Sequence, residues 1–316
     1  MRVLVSRALP DRVEAALAAR FDVTFRRETA PLSVDQAQAA LAGYDAILPT
    51  LGDAFRAPSF AGPVRARILA NFGVGYDHID VAAAAAKGVA VTNTPGAVTD
   101  ATADIAVTLM LMTARRAGAG ERMLRAGRWT GWQPTQMLGT HVSGKSLGLI
   151  GMGRIGRAVA RRCHFGFGMA VRFFNRSVLA DPGLPAEQVN LTAAMGADFV
   201  VVAVPGGPAT RHLIGAEALA AMRPGAFLIN IARGDVVDEA ALIEALQQGR
   251  IAGAGLDVYE REPVVPEALL ALDRVTLLPH LGTAALEVRE AMGMMAVDNL
   301  TALAEGRVPP NLLHPA

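Results

Sequence analysis

Residues 146–163 read "SLGLIGMGRIGRAVARRC". The first six, 146–151, are apolar without polar alternation, the pattern of a strand buried on both faces. From Arg154 onward the pattern becomes helical, and another strand candidate, "AVRFF", follows at 170–174. The switch falls on "GMGRIG", 151–156, which has the form GxGxxG. Such a hexamer alone carries little weight in a chain with 32 glycines, and an ordinary strand–helix turn is the plain alternative. Its position between a strand and a helix makes it informative. Gly151 permits a tight turn, Gly153 lets backbone approach a pyrophosphate, and Gly156 lets the helix pack on the strand. The unpaired N–H groups and partial positive charge of the helix start then face phosphate.

This is a Rossmann-type dinucleotide fingerprint, and the end of the next strand bears on which dinucleotide is bound. About 20 residues past the first glycine such folds place an acidic residue that binds a ribose 2′-hydroxyl. Here "VRFFNRS" (171–177) puts Asn175, Arg176 and Ser177 at that strand end. A carboxylate would repel a 2′-phosphate, whereas asparagine does not. Arg176 can form charge-assisted bonds to the phosphate and Ser177 can donate another. The expected cofactor is therefore NADP(H). NAD(H) stays open if Arg176 merely faces solvent.

Around this motif the chain alternates short β-branched runs with helical patterns, which argues for parallel sheets covered by helices. At 316 residues it is long enough for two domains of roughly 150 residues each. The expected fold class is α/β, with two Rossmann-like or flavodoxin-like domains and an active site in the cleft between them. A substrate-binding domain is placed at 1–96 plus 285–316, and a dinucleotide domain at 97–284. One long helix is expected over 99–127, capped by Thr99 or Asp100. In the first domain a helix over 33–43 is expected to start at Ser33 and end at Gly43. A final helix, 285–306, should cross back onto the first domain.

Composition excludes several classes. Thirty basic against 29 acidic side chains give no electrostatic case for nucleic acid or a membrane surface. Most of the Arg pairs at 26–27, 115–116 and 161–162 read as solvated element ends. The single Cys163 rules out an internal disulfide. "MRVLVSRALPD" at the N-terminus reads as strand and turn rather than a signal peptide, and no apolar stretch approaches the ~18 residues of a membrane span. A soluble, cytoplasmic protein is expected. His141, His164, His212 and His314 have no ligand spacing, so no metal is expected.

Three later segments carry ionisable residues just past strand candidates, where open α/β sheets bind ligands. They are "NIARGDVVDEAALIEAL" (230–246), "GLDVYEREP" (255–263) and "LPHLGTAA" (278–285). Arg233 can bind a carboxylate and polarise an adjacent carbonyl. His280 can exchange a proton with the carbonyl oxygen while hydride moves at carbon, and Glu262 can hold the second ring nitrogen. Singly, each has an equally plain reading as a turn or loop residue.

Together with "GMGRIG" and "NFGVGYDHIDVAAAAAKGVAVTNTPGAVTDATADIAVTLML" (71–112), these segments resemble the D-isomer-specific 2-hydroxyacid dehydrogenase family over nearly the whole chain. The resemblance implies that Arg233, Glu262 and His280 are the catalytic residues. It selects Glu262 over Glu260 because the family's glutamate directly precedes the proline. It further implies that Val74 and Gly75 offer N–H groups to a substrate carboxylate. Thr102, Arg154, Ile155, Val204, Pro205, Ile231, Asp257 and Gly282 would lie along the cofactor. One departure stands out: "AVPGGPAT" (203–210) replaces the family's "CPLTPET"-like segment. His78 falls in a structural turn beside the substrate loop.

Residues 127–156 and "FFNRS" look most like the glyoxylate/hydroxypyruvate reductase branch. That implies NADPH-dependent reduction of short 2-oxo acids to glycolate and D-glycerate. Segment 118–145 resembles the arm through which family members form homodimers, with Trp132 the candidate to reach a neighbour's site. Trp129 and Trp132 could equally pack an interface only. Two other readings remain: an NAD-linked dehydrogenase for a bulkier or phosphorylated 2-hydroxy acid, and a dinucleotide-sensing, corepressor-like binding protein. The absence of a disordered tail after the last helix is expected to count against the latter.

Overall fold

A computed structural model describes residues 1–313; His314 lies outside the described residues. The chain divides into two compact units, Met1–Val98 with the segment from Ala284 onward, and Thr99–Thr283.

The first unit opens with β1 (Arg2–Val5), α1 (Asp11–Ala18), β2 (Asp22–Phe25), α2 (Val34–Gly43), β3 (Ala46–Leu48), β4 (Ile68–Ala70), α3 (Val81–Ala86) and β5 (Ala90–Thr92). Its central strands read as unbroken apolar runs because both faces are covered; every residue of β3 and β4 is buried. Ser33 closes a capping box with Gln36 at the start of α2, a motif that satisfies two otherwise unpaired N–H groups. Gly43 does not cap the other end. It is the last helical residue, and the extended Tyr44 follows, donating its N–H to the Ala40 carbonyl.

The second unit comprises α4 (Thr99–Ala114), α5 (Ala117–Arg125), β6 (Ser146–Ile150), α6 (Arg154–Arg161), β7 (Ala170–Phe174), β8 (Glu187–Gln188), α7 (Leu191–Met195), β9 (Phe199–Val202), α8 (Ala216–Ala220), β10 (Phe227–Asn230), α9 (Glu239–Gln247), β11 (Gly253–Leu256), α10 (Glu267–Leu270) and β12 (Val275–Leu277). The order across its all-parallel sheet is β12-β11-β10-β9-β6-β7-β8. Strand order therefore reverses between β6 and β9, the crevice where doubly wound sheets take their ligands. Phe199 and Phe227 stack at 5.2 Å in the core of this sheet, an arrangement worth about 0.5–1.5 kcal/mol beyond the area it buries.

The single helix expected over 99–127 is two helices. Arg116 adopts φ +55°, and the Ala114 carbonyl accepts from the Thr140 N–H at 2.8 Å, so a distant segment takes up the helix end. Thr99 and Asp100 lie inside the first turn of α4 rather than capping it. Arg162 is not a solvated end either: it bonds Asp100 at 3.0 Å and Asp104 at 2.8 Å, tying the end of α6 to α4. Cys163 beside it is fully buried, and burial pushes its thiol up to about 12.

The chain then returns to the first unit through α11 (Leu286–Ala304) and β13 (Leu312–Leu313). The first sheet runs β13-β5-β4-β3-β1-β2, parallel except for β13. Its parallel part has the flavodoxin-like order. Among the described residues no helix is long and apolar enough to cross a membrane.

Candidate active site

In the second unit, the glycine loop after β6 sits at the switch point, against the segment leaving β9. A β-carbon on Gly151 would lie 2.8 Å from the Ala203 carbonyl oxygen and 2.9 Å from Val204, and Gly151 has φ +102°. One on Gly156 would meet the Gly151 carbonyl oxygen at 2.0 Å. Gly153, the residue before α6, is different: a β-carbon there would meet nothing within 4 Å. Two glycines let the loop fold, and the third keeps open the space in front of the helix start. A dinucleotide pyrophosphate fits that arrangement of exposed N–H groups and open backbone.

Asn175 does more than avoid a negative charge. Its Oδ1 accepts from the Met152 N–H at 3.1 Å, holding the glycine loop to the end of β7. Arg176 and Ser177 are exposed beside it. Arg176 makes no hydrogen bond or ion pair among the described residues, which leaves an uncommitted cation at this edge.

The candidate catalytic side chains, Arg233, Glu262 and His280, follow β10, β11 and β12. Asn230 ends β10 and is buried; its Oδ1 accepts from the Ala232 N–H at 3.0 Å and its Nδ2 donates to the Arg233 carbonyl at 2.9 Å. These bonds shape the loop through Ile231 that presents Arg233, whose Nη1 donates to the Ala232 carbonyl at 2.8 Å. Asp257 ends β11 and is also buried. Its carboxylate accepts from the Leu281 and Gly282 N–H groups at 2.6 and 2.8 Å, and its carbonyl accepts from the His280 N–H at 2.9 Å. Burial raises the Asp257 carboxyl above its ordinary value, and the two N–H groups counter this. Thr102 completes the clasp, its Oγ1 donating to the Gly282 carbonyl at 3.2 Å.

This clasp fixes the turn that carries His280, which has φ +55°. Left-handed backbone at a residue with a β-carbon is costly and tends to persist where surrounding bonds over-determine it, often at functional sites. His280 Nδ1 lies 2.9 Å from Glu262 Oε2, while Glu262 Oε1 accepts from the Tyr259 N–H at 3.1 Å. His280 Nε2 has no hydrogen-bond partner among the described residues. The carboxylate thus holds one ring nitrogen and leaves the other to face a ligand.

Tyr259 is a structural member of the site that the sequence reading does not single out. Its buried hydroxyl donates to the Leu278 carbonyl at 2.9 Å, linking the turn of Glu262 to the segment after β12 that leads to His280. Burial raises its phenol well above the ordinary value. An aromatic after a strand reads as core, and no sequence signal reveals where its hydroxyl goes.

In the first unit, Val74 and Gly75 occupy a loop after β4 whose carbonyls are turned inward. Asn71 Nδ2 donates to the Gly73 and Gly75 carbonyls at 3.0 and 2.9 Å, and Asn93 Nδ2 donates to the Val74 carbonyl at 2.9 Å. The Val74 and Gly75 N–H groups donate to nothing among the described residues. Successive free N–H groups of this kind suit an anion. Trp132 stands apart, 82% exposed in the irregular segment after α5; Leu124, Trp129 and Leu138 are exposed in the same region. Among the described residues no group of three or more His, Cys, Asp or Glu side chains is placed to hold a metal ion.

The fold and this clustering after successive strands define a nicotinamide-dependent dehydrogenase class. The profile of the D-isomer specific 2-hydroxyacid dehydrogenase NAD-binding domain matches residues 107–282, and the chain belongs to that family. It is 41% identical over 320 residues to a glyoxylate reductase of Pyrococcus furiosus, covering 99% of this chain and 95% of that one. Among solved structures, it resembles an NADPH-dependent glyoxylate/hydroxypyruvate reductase of Sinorhizobium meliloti in complex with NADP and malonate. That match has 38% identity and a TM-score of 0.88, covering 99% and 96% of the two chains. A glyoxylate reductase of Paecilomyes thermophila is similar at 33% identity and a TM-score of 0.87, with 99% and 98% covered.

Proposed function

We propose that this protein reduces glyoxylate and hydroxypyruvate to glycolate and D-glycerate with NADPH. The observation that carries the reading is the His280–Glu262 pair, held at 2.9 Å with Nε2 uncommitted on a turn of left-handed backbone. The dinucleotide, when bound, supplies the hydride that reduces the carbonyl carbon. The forming alkoxide needs a proton, and His280 Nε2 donates it. Glu262 stabilises the imidazolium before transfer and orients it throughout, while proton donation by His280 is general-acid catalysis worth about 10²–10⁴ in rate. Arg233 binds the substrate carboxylate and polarises the neighbouring carbonyl. The unpaired Val74 and Gly75 N–H groups are the first unit's own candidate donors to a carboxylate oxygen. In reverse, the same ring takes the hydroxyl proton as a base.

The dinucleotide would be carried by unit Thr99–Thr283. Gly151, Gly153, Arg154, Ile155 and Gly156 would hold the pyrophosphate, Thr102, Asp257 and Gly282 the nicotinamide end, and Val204 and Pro205 the adenine end. Asn175, Arg176 and Ser177 would receive a 2′-phosphate. The exposed Leu124, Trp129, Trp132 and Leu138 support pairing of residues 118–145 with a second copy of the chain.

The test compares initial rates with NADPH and NADH, using glyoxylate and hydroxypyruvate, for the wild type and Arg176→Ala. Removing a charge-assisted contact to phosphate should raise the KM for NADPH about tenfold, leaving the KM for NADH nearly unchanged. Equal use of both dinucleotides by the wild type would instead make Arg176 a surface residue and the enzyme NAD-linked.

A further inference from the structure

The turn that carries Glu262 holds a second glutamate, Glu260, which the proposed chemistry does not use. Glu260 is gripped from two sides. Its N–H donates to Glu239 Oε2 at 3.3 Å. Its carboxylate accepts from His212 Nε2 at 3.1 Å and from Arg211 Nη2 at 3.4 Å. Burial raises the Glu239 carboxyl, and the charge of Glu260 adds to that rise.

His212 is itself held firmly. Its N–H donates to the Asp235 carbonyl at 2.7 Å, the Ile214 N–H to the Val236 carbonyl at 3.0 Å, and the Asp238 N–H to the Ile214 carbonyl at 3.0 Å. Residues 212–214 thus run beside the segment that begins immediately after Arg233 and Gly234. Asp238 Oδ2 stands 4.0 Å from His212 Nδ1, and Arg211 lies 3.9 Å from Asp235. His212 has φ +49°, the left-handed region again. A left-handed histidine held by its own backbone bond and by two more at Ile214, with its ring on a carboxylate two residues from Glu262, is more constraint than an ordinary surface turn needs.

We propose that His212 and Glu260 form a positioning pair. By fixing Glu260 they set the path of the Tyr259–Pro263 turn, hence the placement of the Glu262 carboxylate and the direction of the His280 ring. His212 touches neither substrate nor cofactor in this role; it acts through Glu260. It joins the segment after β9, where this chain departs from the family's pattern, to the turn that orients the acid. The proposal rests on the reading of His280 as the proton donor oriented by Glu262.

The experiment is steady-state kinetics with NADPH and glyoxylate on His212→Phe, His212→Gln, Glu260→Gln and the double variant His212→Phe/Glu260→Gln. His280→Asn, dinucleotide Kd and Tm are measured alongside. Misplacement of a catalytic group by a fraction of an ångström should cost about tenfold or more in kcat for His212→Phe. Dinucleotide Kd and Tm should stay close to wild type, since the ring is partly exposed. His212→Gln should recover most of kcat because its Nε2 can donate to Glu260, a rescue that a packing role would not give. The double variant should be little worse than His212→Phe alone, as for residues acting through one contact. A wild-type kcat for His212→Phe, or equal losses for Phe and Gln, with His280→Asn inactive, would overturn the positioning pair alone. Full turnover by His280→Asn would instead remove the reading beneath it, and the proposal with it.

Discussion

Replacing His280 by asparagine should lower kcat for glyoxylate reduction by about 10²–10⁴-fold, roughly 3–5 kcal/mol in barrier. Dinucleotide binding should hardly change. Asparagine is the informative substitute because position 280 has φ +55°, and asparagine tolerates left-handed backbone better than most residues. The Asp257 clasp can then keep its bonds to Leu281 and Gly282, and only the proton donor is lost. Glu262→Gln should cost less, about 10–100-fold. A glutamine oxygen can still accept from the Tyr259 N–H, but the charge facing the imidazolium is gone. Rapid-mixing measurement of a single turnover would locate both losses in the chemical step. An unchanged single-turnover rate in His280→Asn would mean that the proton comes from elsewhere.

Gly234→Ala should damage stability and activity together. A β-carbon at 234 would lie 1.8 Å from the Tyr259 carbonyl carbon, 2.0 Å from its oxygen and 2.3 Å from the Glu260 nitrogen. Those neighbours are backbone, so no side-chain end can swing away. The peptide between 259 and 260 must shift, and Glu262 moves with it while Arg233, adjacent to the substitution, is displaced as well. A change of this kind falls in the severe class of more than about 3 kcal/mol, which lowers Tm by roughly 10 °C for a unit of this size. Loss of alignment costs about 10²-fold in whatever kcat survives. Calorimetry and kinetics on the same preparation measure both. A stable, active Gly234→Ala protein would show that these two turns are not packed this closely.

The parts of the fold that sequence makes visible are those whose physics is local. "SLGLIGMGRIG" declares strand, turn and helix because only glycine serves at Gly151 and Gly156, one for its backbone angle and both for lack of space. The apolar runs declare a parallel sheet because a strand covered on both faces cannot alternate. What stays hidden depends on distant partners. Nothing between 99 and 127 marks a break, since the Ala114 carbonyl is satisfied by Thr140, 26 residues further on. Gly43 looks like a helix stop, yet extended Tyr44 does that work. In the site, Arg233, Glu262 and His280 stand out because each follows a strand candidate. Asn230, Tyr259 and His212 do not: a buried asparagine that shapes a loop, a phenol that ties two turns and a left-handed histidine have no spacing rule. Glu260 and Glu262 differ by two positions and face different partners, a distinction that only the turn's geometry makes physical.

A site of this kind is expected to turn over a short 2-oxo acid. The direct measurement is the initial rate of NADPH oxidation by the purified protein with glyoxylate, and with hydroxypyruvate, against a no-substrate control. The expected result is saturable oxidation with both acids, faster with NADPH than with NADH, and glycolate or D-glycerate as product. Tight dinucleotide binding with no turnover of either acid would contradict it and would favour a binding protein that senses the dinucleotide.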